Sequence, residues 1–436
     1  MIKIKGFFYL RPMNLEKLHQ LFLAHPNVST DTRKIEKDCI FFALKGPNFN
    51  GNTFAKEALS KGAAYVVIDE EDFFIGEQTL LVNNVLETLQ QLGTYHRNYC
   101  DAKVISLTGS NGKTTTKELI LTVLSKKYNT IATQGNLNNH IGVPLTLLSI
   151  TKETEIAIIE MGANHQKEIA FLSQLSQPDY GYITNFGKAH LEGFGGVEGV
   201  IKGKSELYEY LLANDKHVFL NADDPIQKEK LGSYIKKIGF SKEDKTYYTI
   251  SFLKAQPYVE IEFEGIPVKT QLTGAYNFPN CAAAILMGKY FNVEINAIKE
   301  AIASYIPDNN RSQIVKHKGY HIILDAYNAN PTSMQAALES FANIEGDFKS
   351  VFLGDMFELG SEADIEHQSI ADLASSLGFD TVYLVGEHFS KTETKFSKFN
   401  SFESLKNSFD FTSLQKGNLL IKGSRGMAME RILDLL

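Results

Sequence analysis

At 436 residues the chain is too long for one hydrophobic core, so two to four domains are expected. Its composition, 43% hydrophobic and 22% charged, is that of a globular protein, and no apolar run approaches the roughly 20 residues that span a bilayer. A net charge of −7 without a basic block argues against nucleic acid as the main partner, and the scattered Cys39, Cys100 and Cys281 form no metal or redox spacing.

From the N-terminus, Met1 to Pro12 hold an apolar patch broken by Arg11 and Pro12, too short for the core of a secretion signal. A cytoplasmic chain with reduced thiols is expected. Cys39–Leu44 reads as a buried strand. Thr53 to Lys61 shows helical spacing with Gly62 as its stop, and 64–68 and 79–82 are further strands. Apolar residues at 85, 86, 89, 92, 95 and 99 keep the helical period. Strands 104–107, 156–159, 180–184 and 218–220 then alternate with helices, which implies a mostly parallel, doubly wound sheet with ligands at its carboxyl edge. The β-rich passage 247–272 is expected to form an antiparallel edge. After the turn-rich Pro307-Asp-Asn-Asn310, which reads as a hinge, strands 320–324, 350–353, 381–385 and 418–421 mark a second α/β unit.

The most informative segment is Thr108-Gly-Ser-Asn-Gly-Lys-Thr-Thr115, placed between a strand and a helix. That context suits a phosphate loop: small residues Gly109, Ser110, Asn111 and Gly112 bring backbone N–H groups close to phosphate. Lys113 neutralises β/γ oxygens, Thr114 offers a hydroxyl to Mg²⁺, and Thr115 continues the helix start. The strict pattern wants glycine where Leu107 stands. A glycine-rich turn with a surface lysine is the plain alternative.

Other constellations cluster after strands. Glu160, following 156–159, is placed to supply a second Mg²⁺ ligand, although an acid there is commonly a turn or cap residue. His190 lies just past another strand, where either a structural or a ligating role is open. Lys202 and Lys204 read as the start of a helix, where they oppose the dipole. A bound anion or a carbamate on one of them resolves this, and the residues alone favour the anion. Asn277 and Asn280 suit an adenine edge or an N-cap. Asp325 suits ribose hydroxyls, with Asn328 and Asn330 beside it in a turn that Pro331 follows.

Taken in order, TGSNGKTTTKE (108–118), TQGNLNNHIGVP (133–144), EMGA (160–163), TNFGKAHLEGFG (184–195), GAYNFPN (274–280), DAYNANPTSM (325–334), LGDMFELG (353–360) and KGSR (422–425) resemble the Mur ligases along the whole chain. The resemblance implies three domains: 1–83 binding a UDP-linked substrate, 84–311 a P-loop ATPase, and 312–436 a Rossmann-like domain for the incoming amino component. By motif, Lys113 would hold ATP phosphates, and Thr114, Glu160 and His190 would hold two Mg²⁺ ions, with Lys204 as a carbamoylated lysine. Asn280 would meet adenine, Arg311 the phosphates, Asp325 the ribose, and Asn138 and Asn139 the muramoyl-peptide. The 325–334 and 353–360 strings point to the member that joins D-alanyl-D-alanine to UDP-N-acetylmuramoyl-tripeptide, acting as a monomer in peptidoglycan synthesis.

Ser29, Thr30, Arg33 and Lys45 match the family's uridine-nucleotide contacts. The usual acids and histidine nearby are instead Asn48, Asn50 and Asn52. The implied chemistry is ATP-driven formation of an acyl phosphate, which an amine then attacks. A folylpolyglutamate synthetase-like ligase and a different P-loop NTPase are the rival readings.

Overall fold

The structure, a computed structural model, describes residues 13–346 and 348–436; the apolar patch before Met13 lies outside them. The described residues fall into two compact units, one within Met1–Val104, Ile131–Met161 and Phe171–Gln177, the other within Ile105–Thr130, Gly162–Ala170 and Pro178–Leu436.

In the first unit, four parallel strands run in the order Val28–Ser29, Ile40–Phe42, Tyr65–Ile68, Thr79–Leu81. The Ile40–Phe42 strand is apolar throughout because both of its faces are covered. Ile40 and Phe42 pack with Leu18, Phe22, Val85, Leu89 and Leu92, while Phe41 turns to Ala55, Ala58, Ala63 and Val66. Each such large side chain contributes about 1.5–3 kcal/mol of burial. The helix expected from its apolar spacing spans Val85–Tyr99, and the Asn84 side chain caps it by accepting from the Glu87 N–H at 3.0 Å. Strand Ile156–Glu160 also belongs to this unit; its Ile158 carbonyl accepts from the Thr133 N–H at 3.0 Å.

The second unit contains a run of parallel strands in the order Tyr248–Thr249, Lys237–Ser241, His217–Asn221, Tyr180–Ile183, Lys103–Thr108. The last of these carries the Gly109–Gly112 turn, expected to receive phosphate, at its carboxyl end. Of the passage expected to form an antiparallel edge, Tyr248–Thr249 joins that sheet as its edge strand, but in parallel, and the rest does not join it. Ser251–Lys254, Glu260–Phe263 and Ile266–Lys269 make a separate three-stranded antiparallel sheet.

A six-stranded sheet follows, ordered Gln313–His317, Tyr320–Asp325, Asn418–Lys422, Lys349–Gly354, Thr381–Val385, Ser397–Phe399. Its first pair is antiparallel and the remaining pairs are parallel. Asp325, Gly354, Val385 and Lys422 therefore end at one edge, the side where α/β sheets bind ligands. Cys39, Cys100 and Cys281 are free and buried.

Candidate active site

The phosphate loop is shaped by its two glycines. Gly109 has φ +142° and Gly112 has φ +78°. A Cβ on Gly109 would lie 2.0 Å from the Thr184 hydroxyl, and one on Gly112 would lie 2.6 Å from Asn280 Oδ1. Neighbouring loops hold the turn. The Ser110 hydroxyl donates to the Gly187 carbonyl at 2.8 Å, the Asn111 N–H donates to Asn185 Oδ1 at 3.1 Å, and the Thr184 hydroxyl donates to the Asn111 carbonyl at 2.6 Å. Helix Lys113–Leu124 begins directly after Gly112 with no side-chain cap, so its first N–H groups and the positive end of its dipole face the loop. Lys113 Nζ donates to the Gly109 carbonyl at 2.7 Å, a cation folded over the cradle. Thr114 and Thr115 are buried beneath it.

Asn277 stands at the N-cap of helix Phe278–Tyr290, but neither its side chain nor that of Asn280 caps the helix. Both are buried in a chain of hydrogen bonds: Thr116 Oγ1 to Asn280 Oδ1 at 3.0 Å, Asn280 Nδ2 to Asn277 Oδ1 at 2.9 Å, and Asn277 Nδ2 to the Thr273 carbonyl at 2.8 Å. One amide hydrogen on each remains for a ligand. Arg311 stacks on Tyr327, its guanidinium carbon 3.8 Å from the ring centroid, and Arg425 approaches the same ring at 4.9 Å. The buried Nε of Arg311 has no hydrogen-bond partner among the described residues. Asp325 accepts from Lys422 Nζ and from the Ser312 N–H. Asn328 is exposed. Asn330 caps helix Pro331–Ala342 through the Ser333 N–H, and its Nδ2 donates to Asn111 Oδ1 at 2.7 Å. The turn after strand Tyr320–Asp325 is thereby tied to the phosphate loop.

Lys204 corrects the expectation of a lysine pair opening a helix. That helix starts earlier, at Val197, and runs to Ala213, because the Gly195-Gly196 pair, rather than the lysines, marks its beginning. Lys202 faces solvent, while Lys204 is fully buried. Its Nζ donates to the Ala163 carbonyl at 3.1 Å and lies 4.8 Å from the Phe194 ring centroid. Burial, then the charge of Lys113, push its pKa well below the ordinary lysine value. A neutral amine is the form that adds to CO₂, so the carbamate that the residues alone did not favour gains a physical basis. His190, at φ +54°, pairs through Nδ1 with the Glu358 carboxylate.

The first unit carries the remaining predicted residues. Glu160 is 1% exposed. Its N–H donates to Thr133 Oγ1 at 2.9 Å, its Oε1 accepts from Asn138 Nδ2 at 2.8 Å, and its Oε2 is buried without a partner among the described residues. Asn138 thus orients Glu160. Asn139 organises the turn into helix Gly142–Leu148 by accepting from Ile141 and Gly142. An orphaned carboxylate oxygen fits a hard cation. Mg²⁺ suits such a sparse protein donor set, because it retains water and phosphate oxygens as ligands.

The residues expected to contact the uridine nucleotide pair locally. The Ser29 hydroxyl donates to the Asp31 carbonyl, and Arg33 forks onto Asp31, holding that carboxyl below its usual range. Thr30 follows Ser29 at the end of the strand. Lys45 bridges Asp69 at 3.0 Å and Glu70 at 3.3 Å. Asn50 Nδ2 reaches Glu70, and the fully buried Asn52 exchanges two hydrogen bonds with Asp69. The two asparagines that replace the expected acid and histidine therefore anchor this loop.

Residues 26–97 match the Mur ligase family, catalytic domain; 107–288 the Mur ligase middle domain; and 310–415 the Mur ligase, glutamate ligase domain. A Bacillus subtilis UDP-N-acetylmuramoyl-tripeptide–D-alanyl-D-alanine ligase is 33% identical over 432 residues, covering 93% of this chain and 92% of the relative. The chain is a Mur ligase. Among solved structures, this Mur ligase superimposes on MurF from Acinetobacter baumannii with a TM-score of 0.83 at 30% identity, covering 98% and 99% of the two chains. It superimposes on the Thermotoga maritima MurF ligase in complex with ADP with a TM-score of 0.82 at 26% identity, covering 95% and 97%. These likenesses extend across all three family domains.

Sequence reasoning missed three contributors. Asn185 was legible as an amide just past a strand end. Thr116 was hidden as a helix residue. Glu358 stood inside a quoted string without a role, 168 residues away from its partner His190.

Proposed function

We infer that this Mur ligase joins D-alanyl-D-alanine to UDP-N-acetylmuramoyl-tripeptide with cleavage of ATP, completing the pentapeptide precursor of peptidoglycan. Likeness over nearly the whole chain to ligases of that name carries the reading. The reaction begins with attack of the tripeptide carboxylate on the γ-phosphorus, giving an acyl phosphate and ADP. The dipeptide amine adds to the acyl carbon, and the tetrahedral adduct expels phosphate as the amide forms and the amine loses a proton.

Two anions must meet in the first step, so the chain's main task is positioning and charge neutralisation. The helix start at Lys113 and the loop N–H groups receive the phosphates, and the Lys113 ammonium transfers from the Gly109 carbonyl to a phosphate oxygen. Mg²⁺, when bound, neutralises phosphate charge; Thr114, Glu160, His190 and a carbamoylated Lys204 are the residues that would hold two such ions. Arg311 supplies a further cation to phosphate, Asp325 accepts from ribose, and Asn280 meets adenine. Segments 1–83, 84–311 and 312–436 serve the nucleotide-linked substrate, ATP and the dipeptide in turn. The reaction belongs in the cytoplasm, where ATP and the UDP-linked substrate occur, and the chain acts as a monomer.

Phosphate release decides the matter. It is expected only when ATP, the UDP-tripeptide and D-alanyl-D-alanine are all present. Glutamate replacing D-alanyl-D-alanine as acceptor would favour a folate-type ligase, and release indifferent to both substrates would favour a simple NTPase.

A further inference from the structure

The string Leu353-Gly-Asp-Met-Phe-Glu-Leu-Gly360 has so far received no chemical task. Its Glu358 meets the loop that carries His190, and the meeting is more than one exposed ion pair, which alone would be worth little. Glu358 stands at φ +61° and His190 at φ +54°, both in the left-handed region that non-glycine residues seldom enter. The Glu192 N–H donates to the Glu358 carbonyl at 3.2 Å, so the two loops are joined through backbone as well as side chains. Lys188 strengthens the same junction: its N–H donates to the Thr332 hydroxyl at 2.9 Å, and its ammonium pairs with Glu366. The result is a fixed approach of the Glu358 carboxylate to His190 Nδ1.

A carboxylate has no proton to give, so Nδ1 carries the hydrogen. In the neutral ring Nε2 is then the nitrogen with a free lone pair. Histidines that bind metals are commonly oriented in this way by a carboxylate on the other nitrogen.

We propose that Glu358 is a positioning residue for His190, fixing its tautomer and direction so that Nε2 is presented to a divalent cation beside the nucleotide. The carboxylate comes from the segment after Ser312 and the imidazole from the segment before it. Docking of the dipeptide-binding part onto the 184–192 loop would thereby complete the cation site. The inference rests on the metal role given to His190 in the ligase reading.

The test is Mn²⁺ affinity of the full chain in the presence of ADP, read by electron paramagnetic resonance of free Mn²⁺, with no ligation required. Glu358→Ala should weaken Mn²⁺ binding about tenfold to a hundredfold. ADP affinity measured in chelator should be unchanged. Glu358→Gln, whose amide oxygen still accepts from Nδ1, should retain most of the wild-type affinity, which separates orientation from loss of fold. In a His190→Ala background, Glu358→Ala should add nothing. An unchanged affinity in Glu358→Ala, or an equal loss with and without His190, would overturn the inference. Either result would leave substrate-dependent phosphate release, and thus the ligase reading, untouched.

Discussion

The loops of the first unit assigned to the uridine nucleotide and the buried lysine of the second unit treat charge in opposite ways. Arg33 lies on Asp31, Lys45 sits between Asp69 and Glu70, and the nearby asparagines bond to those acids. Every charge there has a partner, and Arg33 and Lys45 are well exposed, so exchanging partners for a substrate costs little. Lys204 is fully buried and has a carbonyl and an aromatic ring for company, with no ion-pair partner among the described residues. Glu160 is likewise buried with one unpartnered oxygen. A fold gives up stability to keep such groups, which is the usual mark of a site where chemistry occurs. The two regions thus differ in whether their charges are already paired within the chain.

The largest expected effect tests the phosphate loop. Lys113→Ala should lower the ligation rate by about 10²–10³-fold, the scale for losing one pre-positioned group that stabilises developing charge. The unfolding transition should stay cooperative, since Lys113 is only partly buried. Substantial residual ligation would remove the loop from the chemistry.

Lys204 sharpens the contrast next. Lys204→Met should abolish ligation yet raise stability by about 1 kcal/mol, because an apolar chain replaces an amine that burial disfavours. Lys204→Ala should regain activity with a short carboxylate, and wild-type activity should depend on bicarbonate. The sign of the pH effect follows from the lowered pKa. Between the folded-state value and the unfolded value near 10.5, the unfolded chain holds the extra proton, so stability rises with pH across that window. The methionine variant should lose this slope in denaturant titrations at several pH values. A less stable Lys204→Met protein would contradict the account.

Much of this was legible beforehand where the signal is local. The helix Val85–Tyr99 announced itself by apolar spacing, and the residues around Gly109 announced a strand, a glycine turn and a helix in that order. Strand Gln313–His317 was missed because it lies at the edge of its sheet, where no residue is fully buried and no apolar run forms. The 251–269 strands were assigned to the wrong sheet because short antiparallel strands carry no mark of their partner. The depth of Lys204 and the pairing of His190 with Glu358 depend on residues far apart in sequence, which no window along the chain can reveal.

On the self-paired side, Asn52→Ala should cost about 1–3 kcal/mol, since Asp69 would lose two hydrogen bonds in a buried setting. Arg33→Ala should leave the melting temperature unchanged and instead raise KM for the UDP-tripeptide. If Asn52→Ala is neutral in stability and damaging only to substrate binding, the anchoring role of that asparagine fails.

The smallest effect comes from a buried polar pair in the first unit that is neither exposed nor catalytic. His19 Nε2 lies 3.0 Å from His96 Nδ1, and His96 Nε2 lies 2.7 Å from the Ile150 carbonyl. A carbonyl only accepts, so His96 carries its hydrogen on Nε2 and receives one from His19 on Nδ1. The chain needs a lone pair on His96 Nδ1, so it is satisfied only while His96 is neutral, and a charged His19 would face a buried neighbour. Burial, and for His19 also the proximity of His96, lower both pKa values from about 6.5. As pH falls below 6.5 the unfolded chain takes up protons before the folded one does, so stability declines on acidification and is fully restored above that pH. His19→Phe should flatten the decline between about pH 6.5 and 5, by at most about 1.4 kcal/mol per pH unit for one group. A variant with the wild-type slope would mean that the loss arises elsewhere, and that burial without charge does not tune this unit as it tunes Lys204.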